Sequence, residues 1–139
     1  MSYGASARRY QAAQIESATP GQILVALYDG CIRFCRAAQV LIESGDLAGK
    51  GKMISKAVAI LGELRSTLDH SVAPELCDSL DRLYLFFQEQ LSLANIKLDP
   101  AFIDPVIRLM TDLREAWAQA VAEVEQGNGG GNSGNLETA

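Results

Sequence analysis

The stretch Thr19–Gly45, TPGQILVALYDGCIRFCRAAQVLIESG, decides the fold, because it reads as a long helix with a marked start and a marked stop. The Thr19 hydroxyl can accept from an unpaired backbone N–H of the first turn, and Pro20 fits the first helical position, where a missing N–H costs nothing. Gln22 stands three residues after Thr19, the spacing of a capping box. Gly45 tolerates the left-handed turn that ends a helix. At about 100° per residue, Ile23, Leu24, Leu27, Cys31, Phe34, Cys35, Ala38, Leu41 and Ile42 share one broad face. Asp29, Arg33, Arg36 and Glu43 share the opposite one. Val25, Tyr28 and Ile32 lie along the edge between them. Such an edge packs on a third helix or docks another chain, and the sequence leaves both open.

The rest of the chain follows the same logic. Asp46 is placed to cap a second helix, and Gly49 and Gly51 weaken its first turns. From Lys52 onward Ile54, Ala57, Ile60, Leu61, Leu64 and Leu68 recur at helical spacing, Met53 joins them and Val58 sits at the edge. The expected end is near Asp69–His70. Pro74 opens a third helix with Leu76, Leu80, Leu83, Tyr84, Phe87, Leu91 and Ala94 inward. Phe86 and Leu93, seven apart, make a second apolar edge, and Leu85 points nearly opposite to the core stripe. Asp99–Pro100 and Asp104–Pro105 each pair a capping residue with proline. They predict a short turn, then a fourth helix from Pro105 to about Gln126 with Val106, Met110, Leu113, Trp117, Ala120 and Val124 inward. Four amphipathic helices with short connections predict an all-α, antiparallel four-helix bundle over residues 19–126. Residues 1–18 read as a flexible N-terminal arm whose large apolar anchors after Tyr3 are Tyr10 and Ile15. Residues 127–139, rich in Gly and Asn, read as a disordered tail.

Composition narrows the function. The 139 residues, 48% hydrophobic and 21% charged, suit one ordinary globular domain. A net charge of −5 without a basic cluster argues against nucleic acid and anionic membrane surfaces. No apolar run is long enough to cross a bilayer and no signal-peptide core opens the chain, so the expected location is cytoplasmic. Cys31, Cys35 and Cys77 lack a second ligand pair at a recognised spacing and read as small core residues. His70 is the single histidine, with Thr67 rather than Glu three residues before it, so a di-iron bundle is excluded. There is no haem attachment motif and no phosphate-binding glycine loop. The expectation is no catalytic centre, no cofactor, no metal and no small-molecule substrate.

Four stretches resemble the FliS family of flagellin export chaperones: TPGQILVALYDGCIRF, KMISKAVAILGELRSTLD, LDRLYLFFQEQLSLAN and LMTDLREAW. They occur in family order over about residues 10 to 125, and LYDG in the first helix and LY…L…AN in the third are the most specific. Tyr10, ahead of Thr19–Pro20, matches the family's N-terminal tyrosine. The chain departs at Leu85 and Phe86, where family members commonly have a polar residue followed by tyrosine.

The resemblance implies a cytoplasmic bundle that binds the C-terminal segment of flagellin, prevents premature polymerisation and keeps the client competent for flagellar type III export, with a component of the export gate as a second partner. The leftover edges make Val25, Ile32, Val58, Phe86 and Leu93 candidate contacts. Ile15 joins them from the arm, and Tyr10 and Tyr28 join through the family match. A non-enzymatic helical-bundle regulator and a homodimeric structural protein are the alternatives.

Overall fold

The computed structural model describes the chain from Ser17 to Thr138, with side chains to Gly127. Among the described residues there are four helices and no strand: α1 Pro20–Ser44, α2 Leu47–Ser66, α3 Pro74–Lys97 and α4 Asp104–Thr138, with a short 3₁₀ turn Pro100–Ile103 before α4. The all-α, four-helix reading of the sequence therefore holds. The proposed arm, with Tyr10 and Ile15, lies outside the described residues.

The helix ends obey local chemistry. Gln22 N–H donates to Thr19 Oγ1 at 3.2 Å and Thr19 N–H donates to Gln22 Oε1 at 3.1 Å, the reciprocal pair of a capping box. Gly45 sits at φ +78° after α1. Asp46 Oδ1 accepts from Gly49 N–H at 2.9 Å and starts α2. Leu98 closes α3 at φ 53°, a left-handed position that costs a residue with a Cβ about 1–2 kcal/mol. Asp99 Oδ1 then accepts from Ala101 N–H at 2.9 Å and opens the 3₁₀ turn.

The contacts divide the chain into two units. The larger, Leu27–Arg114, is an antiparallel bundle whose direction can be read from its bonds. Between α2 and α3, Arg65 Nε donates to Asp81 Oδ1 at 2.8 Å and Gln88 Nε2 to the Val58 carbonyl at 3.2 Å; Lys50 Nζ donates to the Asn95 carbonyl at 3.1 Å. As one number rises the other falls. Between α1 and α4, Arg114 Nε donates to Asp29 Oδ1 at 2.7 Å and Gln39 Nε2 to Asp104 Oδ1 at 2.7 Å, with the same reversal. The core of this unit is Tyr28, Cys31, Cys35 and Ala38 from α1; Ile54, Ala57, Leu61 and Leu64 from α2; Cys77, Leu80, Tyr84, Phe87, Leu91 and Ala94 from α3; and Ile103, Val106 and Met110. The three cysteines are buried and free. A hydrogen-bonding interaction with the Cys35 thiol, and then burial, push the Cys31 thiol far above the ordinary thiol range, so it stays protonated.

Among the described residues the smaller unit holds the first turns of α1 and α4 from Glu115 onward. These two segments also run antiparallel, with Gln22 Nε2 donating to Glu125 Oε1 at 2.7 Å. Gly21 lets the helices close: a Cβ there would stand 2.7 Å from Val121 Cγ2.

Several expectations are corrected. Tyr28, placed on the edge of α1, is fully buried. Leu76, assigned inward, is 53% exposed. The register that pairs Arg65 with Asp81 carries it past the end of α2, and Cys77 takes the inward place, its thiol on the Asp69 carbonyl at 3.3 Å. α2 stops at Ser66 rather than near His70: Thr67 N–H makes a last helical bond to the Glu63 carbonyl, and Leu68 N–H then tightens back to the Arg65 carbonyl, three residues before it. Ile23, Ala120 and Val124 are exposed instead of inward. α4 runs past the expected end at Gln126 to Thr138, and the side chains of its glycine-rich stretch lie beyond those described.

Two measurements check this packing. Leu64 is 1% exposed, so Leu64→Ala should lower the unfolding free energy by about 2–5 kcal/mol in chemical denaturation. The hydrogen bond from Arg65 holds the Asp81 carboxyl below the ordinary carboxylate range. Its contribution is present above the unfolded carboxylate pKa and is lost as pH falls through the lower folded value. Asp81→Asn should therefore reduce stability at neutral pH and flatten its acid decline in pH-dependent melts, whereas a parent-like acid slope would show that the pair adds nothing.

Candidate functional site

The quoted motifs meet inside the larger unit. Tyr28 and Tyr84 share a buried hydroxyl–hydroxyl bond, with ring centroids 6.3 Å apart at 66°. Burial, then the bond to Tyr28, pushes the Tyr84 phenol well above its ordinary value, so it remains a neutral partner. The next residue, Asp29, holds Arg114 in α4. The next, Gly30, brings α1 close to α2: a Cβ there would lie 3.4 Å from Ile60 Cδ1. Asn95, the last residue of LY…L…AN, receives Lys50 through its side chain and its carbonyl. Tyr28 is thus a core tie between α1 and α3, and the free surface expected at this residue is not there.

The other candidates divide. Phe86 is 36% exposed on α3, and Leu93 is half-buried on the same outward side. A shallow groove of about 500 Å³ runs along this face, lined by Leu85, Gln88, Glu89, Ser92, Leu93 and Ile96. Leu85 is 40% and Ile96 77% exposed, so Leu85, Phe86, Leu93 and Ile96 form an outward apolar stripe over three turns. Val58 borders it through the bond of its carbonyl to Gln88. Ile32 is half-buried on α1 and does not line that groove. Val25 is half-buried in the smaller unit. Tyr10 and Ile15 lie outside the described residues. Ile96 was absent from the sequence-based set. Its signal was the spacing of eleven residues from Leu85, three turns along one face.

The smaller unit has an apolar groove of its own, about 400 Å³, between Pro20, Gly21 and Leu24 on α1 and Trp117, Val121 and Val124 on α4. The Trp117 indole N–H at its wall is buried and has no hydrogen-bond partner among the described residues. Among the described residues no group of His, Cys, Asp or Glu could hold a metal ion, and no helix is long and apolar enough to cross a membrane. The chemistry on offer is apolar contact along α3 and in the Trp117 groove, with few polar groups to orient a small molecule.

Comparison with known proteins agrees with this geometry. The family model described as "Flagellar protein FliS" matches residues 2–124. This chain belongs to the FliS family. It is 38% identical to the flagellar secretion chaperone FliS of Bacillus subtilis, over 81% of this chain and 83% of that protein. It is 33% identical to FliS of Salmonella typhimurium, over 76% and 78% of the two chains. A crystal structure of a flagellar chaperone from bacteria, 21% identical, shares the fold with a TM-score of 0.71 over 85% of this chain and 98% of that one. These FliS relatives are named chaperones, so the family expectation drawn from LYDG and LY…L…AN is met. In this FliS-family chain those motifs tie helix to helix.

The tyrosine pair gives a direct check. Tyr28→Phe leaves the buried Tyr84 hydroxyl without its partner and should cost about 1–3 kcal/mol. Adding Tyr84→Phe removes the stranded group and should recover part of that loss in the same denaturation experiment. Two single costs that simply add would show that the hydroxyls do not depend on each other.

Proposed function

We propose that this chain is an export chaperone that binds the C-terminal segment of flagellin, keeps it from polymerising early and delivers it to a component of the flagellar export gate in the cytoplasm. The observation that carries this reading is the outward stripe Leu85, Phe86, Leu93 and Ile96 in a chain of the FliS family. A segment that is unstructured alone and helical when assembled presents an apolar stripe of its own. An apolar groove can cover that stripe by helix-in-groove docking. The segment loses entropy on ordering, which limits affinity and lets the client be released at the gate. Phe86 and Leu93 are the central contacts, with Val58 at the margin. Ile32 and Val25 contact other parts of a client long enough to wrap the protein, and Tyr10 and Ile15 belong to the proposal on sequence grounds. Tyr28 supports the site from within the core.

Phe86→Asp with Ile96→Asp should weaken binding of a flagellin C-terminal peptide by more than about tenfold in titration calorimetry, given the apolar area removed from the contact. Both residues face outward, so thermal melts should show a folded protein. Parent-like affinity in a folded double variant would remove α3 from the client surface.

A further inference from the structure

A second surface has the opposite character. Arg33 and Arg36 on α1, with Lys52 and Lys56 on α2, are exposed in a chain whose net charge is −5. The helices meet here: Cys31 Sγ lies 3.9 Å from the Ala57 carbonyl oxygen. The half-buried Phe34 ring receives both the Arg33 guanidinium, 5.5 Å from its centroid, and the Lys56 ammonium, 5.3 Å from it. One ring face system thus holds two like charges.

The sequence spacing does not relieve them. Lys52 and Lys56 are four apart, and Arg33 and Arg36 three apart, so each pair repels along its own helix. No acid stands three or four residues from Lys52 or Lys56. Arg36 instead turns toward α4, where it shares a groove with Asp104 and Asp112, and it is not part of the face below. Asp29, four before Arg33, is held by Arg114, and Asp46 caps α2 through Gly49 N–H. Glu43 and Glu63, the remaining acids of α1 and α2, are two turns from Arg36 and Lys56.

We propose that the Arg33–Phe34–Lys52–Lys56 face docks an acidic segment of a partner protein, separate from the apolar face of α3. Carboxylates would satisfy cations that this chain leaves without opposite charge at helical spacing. Phe34 carries the apolar part of the contact and fixes the two cationic heads over its ring. A polynucleotide fits poorly, because three cations on a chain of net charge −5 give too little counterion release to overcome the long-range repulsion. The proposal does not rest on flagellin binding.

The test titrates the ¹⁵N-labelled full chain with a blocked peptide of alternating Glu-Glu and Ala-Ala pairs, and with its Gln counterpart. The Glu peptide should move amide signals around Arg33–Ala37 and Lys52–Lys56, and the Gln peptide should not. The shifts should vanish at about 1 M salt, where screening acts within about 3 Å. Lys52→Gln with Lys56→Gln should abolish them while the melt stays parent-like. Arg82→Gln, an exposed arginine on α3, should leave them unchanged. Equal shifts with the Gln peptide, shifts elsewhere, or binding that survives the lysine changes would overturn the proposal. So would phosphatidylserine vesicles outcompeting the peptide at these residues, or a dimer in sedimentation that the lysine changes dissolve.

Discussion

The buried bond between Tyr28 and Tyr84 is the constraint from which the larger unit is built. Two phenols in a core of Leu, Ile, Val, Cys and Met must satisfy their hydroxyls there, and this fixes α1 against α3 to within a hydrogen bond. The two following residues then have little freedom. Asp29 comes round to Arg114 on α4, and Gly30 allows α2 to approach. Three consecutive residues of α1 therefore orient it toward three different helices. Apolar packing supplies most of the stability, but it is tolerant of small slips, whereas a buried hydroxyl pair is not.

That register also decides what is left outside. With Tyr84, Phe87 and Leu91 committed to the core, Leu85, Phe86, Leu93 and Ile96 must emerge on the other side of α3. Glu89 and Ser92 lie among them, so the apolar area is interrupted rather than continuous. The α1–α2 face has a different character, cationic around a single ring. An apolar stripe responds weakly to salt and an exposed charged patch responds strongly. Two surfaces of such different chemistry on one small chain can engage partners independently of each other.

The sequence by itself determined the four helices of the described residues, their starts and most of their inward residues. Those depend on local chemistry: Thr19–Pro20–Gln22, Asp46, Pro74 and the two Asp–Pro pairs act within a turn, and periodicity reports which stripe is apolar. It also carried the family, through LYDG and LY…L…AN. Only the tertiary structure decided what those motifs do. Tyr28 looked like an edge residue because its angular position borders the core stripe. It became core because α3 presents Tyr84 opposite it, a meeting of residues 56 positions apart that no local pattern contains. Leu76 shows the reverse case. It has the right angle for burial, yet its turn of helix runs beyond the end of α2, the neighbour that could cover it. Angle around a helix is written in the sequence; which neighbour stands at a given height along it is set by packing between distant segments.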